Sequence, residues 1–207
     1  MQLFCEQTIR LPLHAKQTAT LQFWPQWLAR EQADALYHTG LNNIAWQSDN
    51  IIIAGKTIPI PRLHHWFSEP ATAYKWSGIQ MRSDPFPSWL EQLRLQVSSA
   101  TSTDFNSCLA NYYRGGNDSV DWHADDEAIL GNQPIVASVS LGAERIFQFK
   151  HRLTGERLEL SLPHGSLLLM GPGVQQYWHH KIPKDKSLND ARINFTFRSL
   201  KKSIKTP

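Results

Sequence analysis

The second half of the chain consists of short hydrophobic runs separated by turns. The turns are rich in Gly, Pro and Asn, as in RGGND, GNQP, LTGE, LPHG and GPG. The runs between them are FNSCLANYY, IVASVSL, RIFQFKH, RLELSLP, SLLLMG, QQYWHHKI and RINFTFR. Many short strands joined by turns of this kind predict a sandwich or a barrel, and a jelly roll fits their number.

The first half shows helical patterns as well as strand patterns. Residues 25–40, PQWLAREQADALYHTG, predict an amphipathic helix that starts at a proline and ends at a glycine. Residues 86–102, FPSWLEQLRLQVSSATS, predict a second helix. Residues 48–62, SDNIIIAGKTIPIPR, predict a β-hairpin with its turn near Ala54 and Gly55. The fold class is therefore expected to be mixed α/β with a mainly β core.

Length and composition are those of an ordinary globular domain. The 207 residues predict a single domain, with helices and a lid in about residues 1–100 and a β core in about residues 101–200. The net charge of +3 is compatible with an anionic partner without requiring one. The two cysteines, Cys5 and Cys108, lie too far apart to suggest a CxxC zinc site or a disulfide framework. With neither a membrane-spanning run nor a signal-peptide pattern, a cytoplasmic monomer is expected, nuclear in a eukaryote.

One strand near the end of the chain carries two arginines on the same face. In ARINFTFRSL, residues 191–200, alternation places Ile193, Phe195 and Phe197 on one side. The other side carries Arg192, Asn194, Thr196 and Arg198. Because like charges on one face repel each other, this arrangement indicates an anion bound there, with two solvent-facing arginines as the alternative.

A metal site is indicated by DSVDWHADDE, residues 118–127. His123 and Asp125 are two positions apart, so on an extended segment they project to the same side. A later run offers His179 and His180 as the third ligand. Two His and one carboxylate on one face of Fe(II) leave three positions open for a bidentate cosubstrate and oxygen. A His-x-Asp pair alone is common by chance, and a solvated acidic turn is its alternative. A keto dicarboxylate would explain the metal ligands and the paired arginines together.

Three motifs together resemble the AlkB family of Fe(II)/2-oxoglutarate dioxygenases, which repair alkylated nucleic acids. They are HADDE, HKIP and RINFTFR, and the last matches the family's closing signature R-x-N-x-T-F-R in full. The likeness extends over FNSCLANYYRGGNDSVDWHADDE and PIVASVSLGAERIFQF, and so covers at least residues 105–199. A weaker match begins near PRLHHWF. The resemblance implies a double-stranded β-helix, or jelly roll, flanked by N-terminal helices and a base-recognition hairpin lid.

The resemblance also implies roles for individual residues. His180 is preferred to His179 as an iron ligand because it stands where the family has the His before its x-hydrophobic-Pro run. The implied iron ligands are His123, Asp125 and His180. The implied 2-oxoglutarate contacts are Asn111, Tyr113, Arg192, Asn194 and Arg198. The implied substrate contacts are Arg62, Tyr74, Trp76, Asp126 and Glu127, with Trp76 stacked on the base and the two acidic residues facing it.

The implied reaction is oxidative dealkylation of bases such as 1-methyladenine and 3-methylcytosine. It consumes oxygen and 2-oxoglutarate and releases formaldehyde, succinate and carbon dioxide. Duplex-specific members carry a bulky wedge at the tip of the first hairpin, where this chain has Ala54. Single-stranded DNA is therefore the favoured partner, with RNA as a further candidate. Two rivals stay open, a dioxygenase of the same chemistry acting on protein or lipid, and a metal-binding jelly roll without turnover.

Two groups of basic residues are candidates for phosphate contacts. One group surrounds a predicted hairpin and comprises Arg145, Lys150, His151, Arg152 and Arg157. The other follows the last predicted iron ligand and comprises Lys181, Lys184 and Lys186. Both groups are candidates to follow a nucleic-acid backbone, and solvated surface faces are the alternative.

Overall fold

A computed structural model describes residues 7–14, 17–53, 56–69, 74–76, 79–81 and 83–201. The strands in the N-terminal half are β1 (Gln7–Pro12), β2 (Thr18–Trp24), β3 (Asn50–Ile53), β4 (Lys56–Pro59), β5 (Leu63–Ser68), β6 (Tyr74–Trp76) and β7 (Ile79–Met81). Those in the C-terminal half are β8 (Ser107–Tyr113), β9 (Val120–His123), β10 (Val136–Gly142), β11 (Arg145–His151), β12 (Arg157–Leu162), β13 (Ser166–Met170), β14 (Trp178–Ile182) and β15 (Arg192–Arg198). The helices are α1 (Arg30–Asn43), α2 (Ser88–Thr101) and α3 (Val174–Tyr177), with a short 3-10 helix at Ala128–Leu130.

The predicted jelly roll is confirmed. A seven-stranded major sheet has the order β1-β2-β13-β10-β15-β8-β5, and a four-stranded minor sheet has the order β12-β11-β14-β9. All the paired strands in both sheets are antiparallel. One apolar cluster joins major-sheet residues such as Leu168 and Met170 to minor-sheet residues such as Phe149 and Trp178. The two sheets therefore face each other across a shared core.

The major sheet buries both of its faces, and this explains the pattern of β15. Ile193, Phe195 and Phe197 pack into a second apolar cluster that includes residues of α1 and α2. The alternate residues of β15 face the space between the two sheets, and all seven residues of the strand are buried. The predicted alternation is thus observed, and the two arginines point inward rather than to solvent.

The N-terminal half contributes more strand than its sequence pattern suggested. β1 and β2 form one edge of the major sheet, and β5 forms the other by pairing with β8. In β2 the buried residues Ala19, Leu21 and Phe23 alternate with more exposed ones, which is the period of a half-buried strand. The description of this half as helices and a hairpin was therefore incomplete.

Two element boundaries differ from expectation for local reasons. α1 begins at Arg30 rather than near residue 25, because the backbone N–H of Leu28 donates to Gly165 O at 3.0 Å and holds that stretch against the sheet. The run QQYWHHKI was expected to be all strand, but its first three residues belong to the short helix α3. Gly173 precedes this helix with a φ of 87°, a left-handed conformation that glycine adopts without steric cost.

Two small hairpins adjoin the major sheet. β3 pairs with β4, as predicted, and β6 pairs with β7. The turn residues Ala54 and Gly55, and the side chains of Tyr74 and Trp76, lie outside the described parts of the structure. Adjacent buried histidines of β5 hold the flanks of these hairpins: His64 Nε2 lies 3.0 Å from Asp49 Oδ2, just before β3, and His65 Nε2 lies 2.9 Å from Asp84 Oδ2, just after β7. Within the described ranges, no helix has the length and apolar character needed to cross a membrane.

Gly116 allows the loop between β8 and β9 to pack against the loop between β14 and β15, and this contact gives a prediction on stability. Its N–H donates to Leu188 O at 2.8 Å, its carbonyl accepts from Asp185 N at 2.8 Å, and a Cβ here would lie 1.6 Å from Asp185 O. Gly116→Ala is therefore expected to lower the free energy of unfolding by about 3 kcal/mol, the upper end of ordinary overpacking. Gly115→Ala is the control, because its Cβ would meet Asn189 O at 3.3 Å. Equal urea midpoints for the two variants would contradict this loop contact.

Candidate active site

A cavity between the two sheets gathers the predicted iron and 2-oxoglutarate residues. All eight of them line it, together with Arg62, as follows: Asn111 and Tyr113 of β8, His123 of β9, Asp125, His180 of β14, and Arg192, Asn194 and Arg198 of β15. The apolar part of the wall consists of Leu109, Val120, Phe147, Leu162, Met170 and Ile182. Side chains from widely separated positions, between Arg62 and Arg198, thus line one cavity that has a polar part and an apolar part.

A bulge in β9 aims His123 into the cavity. His180 pairs with His123 and Ile182 pairs with Val120, so three steps along β9 match two along β14. The extra residue lets both Val120 and His123 face inward, and such bulges often redirect side chains beside active sites. His123 Nδ1 lies 2.8 Å from Asp121 O. Because a carbonyl only accepts, Nδ1 must donate, and Nε2 of the neutral ring keeps its lone pair.

His180 lies against His123 in the interior. The two ring centroids are 4.3 Å apart, and His180 also packs against Phe147 and Phe149. Burial lowers the pKa of His123 and lowers that of His180 well below its ordinary value, with Asp125 opposing both shifts. Both imidazoles are therefore neutral at physiological pH, which is the form that binds metals. His179 is half-buried and is not among the residues that line the cavity.

Asp125 is a buried carboxylate held by charge and by hydrogen bonds. Its Oδ1 accepts from Arg198 Nη2 at 2.6 Å, and its Oδ2 lies 4.0 Å from His180 Nε2. Its backbone N–H donates to the side-chain oxygen of Gln175 at 3.0 Å. Burial alone would raise the pKa of Asp125, but Arg198, His180 and His123 together outweigh it and lower the pKa to about 2. The group is an anion at any ordinary pH.

These three side chains have the chemistry of an iron site. Two neutral imidazoles and one carboxylate border the same cavity, and this donor set suits Fe(II). Among the described residues, no three His, Cys, Asp or Glu side chains are already arranged to hold a metal ion. Oδ1 of Asp125 is paired with Arg198 Nη2 at 2.6 Å, so one carboxylate oxygen faces the guanidinium. The donor types fit the metal, and the carboxylate is shared with an arginine.

Arg192 is a buried cation with unused donors. It is 2% exposed, and Nη2 donates to Ser140 Oγ at 2.9 Å, while Nε and Nη1 have no hydrogen-bond partner in the described part of the chain. Its Cζ lies 5.2 Å from the centroid of the Tyr113 ring, and Cζ of Arg145 lies 5.7 Å from the same centroid. Burial lowers the pKa of Arg192 to about 10, with Tyr113 opposing the shift. Unpaired donors on a buried cation are costly, so the geometry fits an incoming carboxylate.

The amides of Asn194 and Asn111 are already engaged. Asn194 Nδ2 donates to Ser138 Oγ at 2.8 Å and to Val139 O at 3.0 Å, and its oxygen accepts from Thr196 at 2.7 Å. Asn111 Oδ1 accepts from Arg62 Nε at 2.8 Å. Arg62, which was predicted on the substrate side, thus lies in the cavity wall with the cosubstrate group.

The acidic residues after Asp125 lie near the site without lining the cavity. Asp126 is exposed and accepts from Arg152 Nη2 at 2.6 Å. Glu127 is partly buried, and its Oε2 is a buried atom with no hydrogen-bond partner in the described ranges. The structure does not describe the side chains of Tyr74 and Trp76, so whether they meet these carboxylates stays a prediction.

Two of the basic residues proposed for phosphate contact are buried. Arg145 is 3% exposed, and its Nη2 donates to Asp118 O at 3.0 Å, so it ties a loop to the sheet. His151 is 1% exposed. These two are excluded as surface contacts because their side chains lie inside the fold. The remaining members are exposed or half-buried: Lys150, Arg152, Arg157, Lys181, Lys184 and Lys186. Among these, Lys181 Nζ lies 4.6 Å from the ring centroid of Trp122.

Three site residues were not found from the sequence. Ser138 and Ser140 bind Asn194 and Arg192 from the neighbouring strand β10. Two serines at alternate positions in the apolar run IVASVSL were a usable signal, because they mark one face of that strand as polar. Gln175, which holds the backbone of Asp125, gives no such signal, since nothing near it predicts a buried amide.

Comparison with known proteins agrees with this architecture. A family model described as the 2OG-Fe(II) oxygenase superfamily matches residues 20–198. The mouse alpha-ketoglutarate-dependent dioxygenase alkB homolog 3 is 35% identical over 189 residues, which cover 86% of this chain and 65% of the relative. The mouse DNA oxidative demethylase ALKBH2 is 36% identical over 156 residues, covering 72% of this chain and 65% of the relative.

A solved structure supports the fold independently. The structure of OsALKBH1 superimposes with a TM-score of 0.62 at 19% identity, covering 86% of this chain and 97% of the other, and this likeness shows the fold alone. The chain spans about 65% of the length of the two mouse relatives. The family model covers most of the chain. The two relatives carry AlkB names, and AlkB is the family that the sequence motifs resemble. The chain therefore belongs to the 2OG-Fe(II) oxygenase superfamily and, within it, to the AlkB family.

Proposed function

We propose that this protein is an Fe(II)- and 2-oxoglutarate-dependent enzyme that removes alkyl groups from bases in nucleic acid. The observation that carries the proposal is the single cavity in which two neutral histidines and Asp125 lie on one side and the buried Arg192 on the other. The names of the relatives, a DNA oxidative demethylase and alkB homologs, support a nucleic-acid substrate.

Each side of the cavity has its own part in the reaction. His123, Asp125 and His180 would hold iron, and Arg198 would keep the Asp125 carboxylate ionised and oriented. When bound, iron with 2-oxoglutarate and O2 would supply hydroxylation of an N-methyl group, with one oxygen atom entering the methyl group and the other entering succinate as carbon dioxide is released. The cationic hydroxymethyl product would then lose formaldehyde and a proton, which restores the unmodified ring nitrogen of the base. The apolar wall that includes Phe147 and Ile182 keeps bulk water away from this chemistry.

The distal end of the cavity suits the second carboxylate of 2-oxoglutarate. Nε and Nη1 of Arg192 have no hydrogen-bond partner among the described residues, and the guanidinium lies over the Tyr113 ring. Ser140, on the neighbouring strand β10, accepts a hydrogen bond from the guanidinium and fixes its position. The two arginines of β15 therefore have different tasks, with Arg198 beside the metal ligand and Arg192 at the carboxylate.

The substrate proposal rests on the rim. A base such as 1-methyladenine or 3-methylcytosine is cationic, so Asp126 and Glu127 would favour it electrostatically. Trp76 would stack on the base, with Tyr74 near the base edge or the adjacent phosphate. The partner we propose is single-stranded DNA, with RNA as a second substrate. We further propose that the enzyme acts as a monomer in the cytoplasm, or in the nucleus of a eukaryote.

One experiment tests the activity and its rivals together. The protein is incubated with iron, 2-oxoglutarate, oxygen and a methylated single- or double-stranded oligonucleotide, and the products are measured by mass spectrometry. The proposal expects the oligonucleotide to lose the mass of one CH2 group, with equimolar succinate. Succinate released with a peptide or a lipid but never with oligonucleotides would favour a dioxygenase of another substrate class. No succinate under any condition would favour a metal-binding protein without turnover.

The hairpin tip gives a prediction on strand preference. Opening a base pair costs a few kcal/mol, and a side chain that fills the vacated stack offsets part of that cost. Ala54 offers one methyl group, so repair of the same lesion is expected to be faster in single strands than in duplexes. Ala54→Phe is expected to raise the duplex rate about tenfold relative to the single-strand rate. Rates for both contexts are compared at one salt concentration, and an unmodified protein that prefers duplexes would refute the assignment.

A further inference from the structure

A second, polar cleft opens directly beside the candidate active site. It has a volume of about 550 Å³, within the range of small-ligand sites. Its walls come from the loop after the 3-10 helix, from the turn after β11 and from α3, and their polar side chains are Asp126, Asn132, Gln133, Arg152 and Gln176. In the described part of the chain, the amides of Asn132, Gln133 and Gln176 make no side-chain hydrogen bond within the protein.

The cleft and the iron site share their supporting backbone. Asp125 faces the cavity while Asp126, the next residue, faces the cleft. In the same way Gln175 turns inward to accept the N–H of Asp125 at 3.0 Å, whereas Gln176 faces the cleft. The backbone N–H of Arg152 donates to Tyr177 O at 2.8 Å, which joins the third wall to α3. Two residues that line the cleft, Asp126 and Gln176, are therefore the direct chain neighbours of Asp125 and of Gln175, which binds the backbone of Asp125.

The chemistry of the cleft matches a nucleotide. Amide side chains offer a donor and an acceptor side by side, and this pair can hydrogen-bond to the donor and acceptor groups on the edge of a base. Arg152 supplies a cation whose present partner, Asp126, is half exposed, so exchange of that pair for a phosphate costs little. Lys150, two residues before Arg152, pairs with His179 across two strands of the minor sheet. A second basic residue therefore lies close to Arg152 in the chain.

We propose that this cleft binds the nucleotide adjacent to the one whose base enters the cavity, reading its base with Gln133 and Gln176 and its phosphate with Arg152. The inference rests on the proposed function, because the neighbour exists only if the substrate is a nucleic-acid strand. A strand whose target base passes Asp126 and Glu127 to reach the iron leaves that rim where the cleft begins. Through this cleft the enzyme would contact the base next to the lesion, which the cavity alone does not reach.

The test compares single-stranded oligonucleotides with one methylated base and one missing neighbour. Three substrates are used: the intact strand, a strand abasic on the 5′ side of the lesion, and a strand abasic on the 3′ side. With unmodified protein, KM is expected to rise about tenfold for one of the two abasic strands and to change less than twofold for the other, with kcat preserved. In Gln133→Gly/Gln176→Ala the same abasic step is expected to raise KM less than twofold, because the contact is already absent. Glycine is chosen at Gln133 because φ there is 54°.

Matched variants separate the cleft from general effects of surface charge. Arg152→Ala is expected to raise KM for the intact strand about fivefold and to reduce its salt dependence. Arg30→Ala is the control, since it also removes an arginine paired with a half-exposed aspartate, Asp34, but one that is more exposed than Arg152 and lies outside the cleft. Gln26→Ala serves the same purpose for the amides.

The outcomes distinguish the two proposals. Demethylation by the unmodified protein with no response to either missing neighbour would overturn the cleft assignment and leave the activity standing. A neighbour response that the double variant retains in full would also overturn it. Absence of demethylation with every oligonucleotide would overturn the proposed function and this inference with it.

Discussion

His180→Ala is expected to lower turnover by more than about 100-fold, whereas the adjacent His179→Ala is expected to stay within about twofold of the unmodified protein. Loss of a group outside the ligand sphere typically costs 10- to 100-fold in metal affinity or activity, so loss of a ligand is expected to cost more. His180 is 3% exposed and in contact with the His123 ring, while the half-buried His179 is not among the cavity-lining residues. The two substitutions therefore test two faces of one strand, one residue apart.

Iron content should separate the two variants as clearly as rate does. Bound iron per chain, measured by mass spectrometry of the metal after desalting, is expected to fall in His180→Ala and His123→Ala and to be unchanged in His179→Ala. For Asp125 the isosteric Asp125→Asn is preferred to alanine, because removing one partner of a buried ion pair typically costs about 3–5 kcal/mol of stability. Inactivity of His179→Ala together with activity of His180→Ala would reverse the ligand assignment.

The carboxylate of Asp125 is assigned two partners, Arg198 and the proposed iron. It forms a 2.6 Å ion pair with Arg198 and is also one of the three proposed iron ligands. A carboxylate has two oxygens and about four acceptor positions, so one oxygen can stay with the guanidinium while the other turns to a metal. The low pKa of Asp125, about 2, means that no proton has to leave when a cation binds. Arg198 thus prepares the ligand in its charged form.

Periodicity in the sequence predicted the parts of the fold that depend on alternation. The inward face of β15 followed from a two-residue repeat, because the buried strand leaves each side chain only two directions. His180 was preferred to His179 from the family resemblance instead, and the structure buries His180 while His179 is half-buried. Periodicity did not reveal β1 and β5, because strand pairing over long sequence distances is set by tertiary contacts rather than by local pattern.

The finer geometry of the site depends on features that local pattern does not encode. The bulge that turns both Val120 and His123 inward breaks the period of two, so strict alternation would have sent one of them outward. Gln175 and Ser140 act through single hydrogen bonds across the fold, to Asp125 and Arg192. Such partners become visible only when the strands are assembled. Motif resemblance predicted the residues that meet in the cavity, and the structure adds the residues that hold them.

Arg192→Lys is expected to raise the apparent KM for 2-oxoglutarate about 100-fold with little change in the KM for the nucleic acid. Arg192 sits at the far end of the cavity from Asp125 along β15, and two of its nitrogens have no hydrogen-bond partner in the described part of the protein. Lysine keeps the charge but cannot present two parallel N–H donors to a carboxylate. The charged hydrogen bonds lost are worth about 1.5–3 kcal/mol each, and 2.7 kcal/mol corresponds to about 100-fold.

Ser140→Ala provides a graded control for that result. It removes the hydroxyl that accepts from Arg192 Nη2 at 2.9 Å but leaves the guanidinium in place. A hydrogen bond to a charged group contributes about 1.5 kcal/mol at the low end, so KM for 2-oxoglutarate is expected to rise about tenfold while kcat at saturation is kept. Bound iron should be normal in both variants, because neither residue is a proposed ligand. An unchanged 2-oxoglutarate KM in Arg192→Lys, or a loss of iron in either variant, would show that this end of the cavity does not bind the cosubstrate carboxylate.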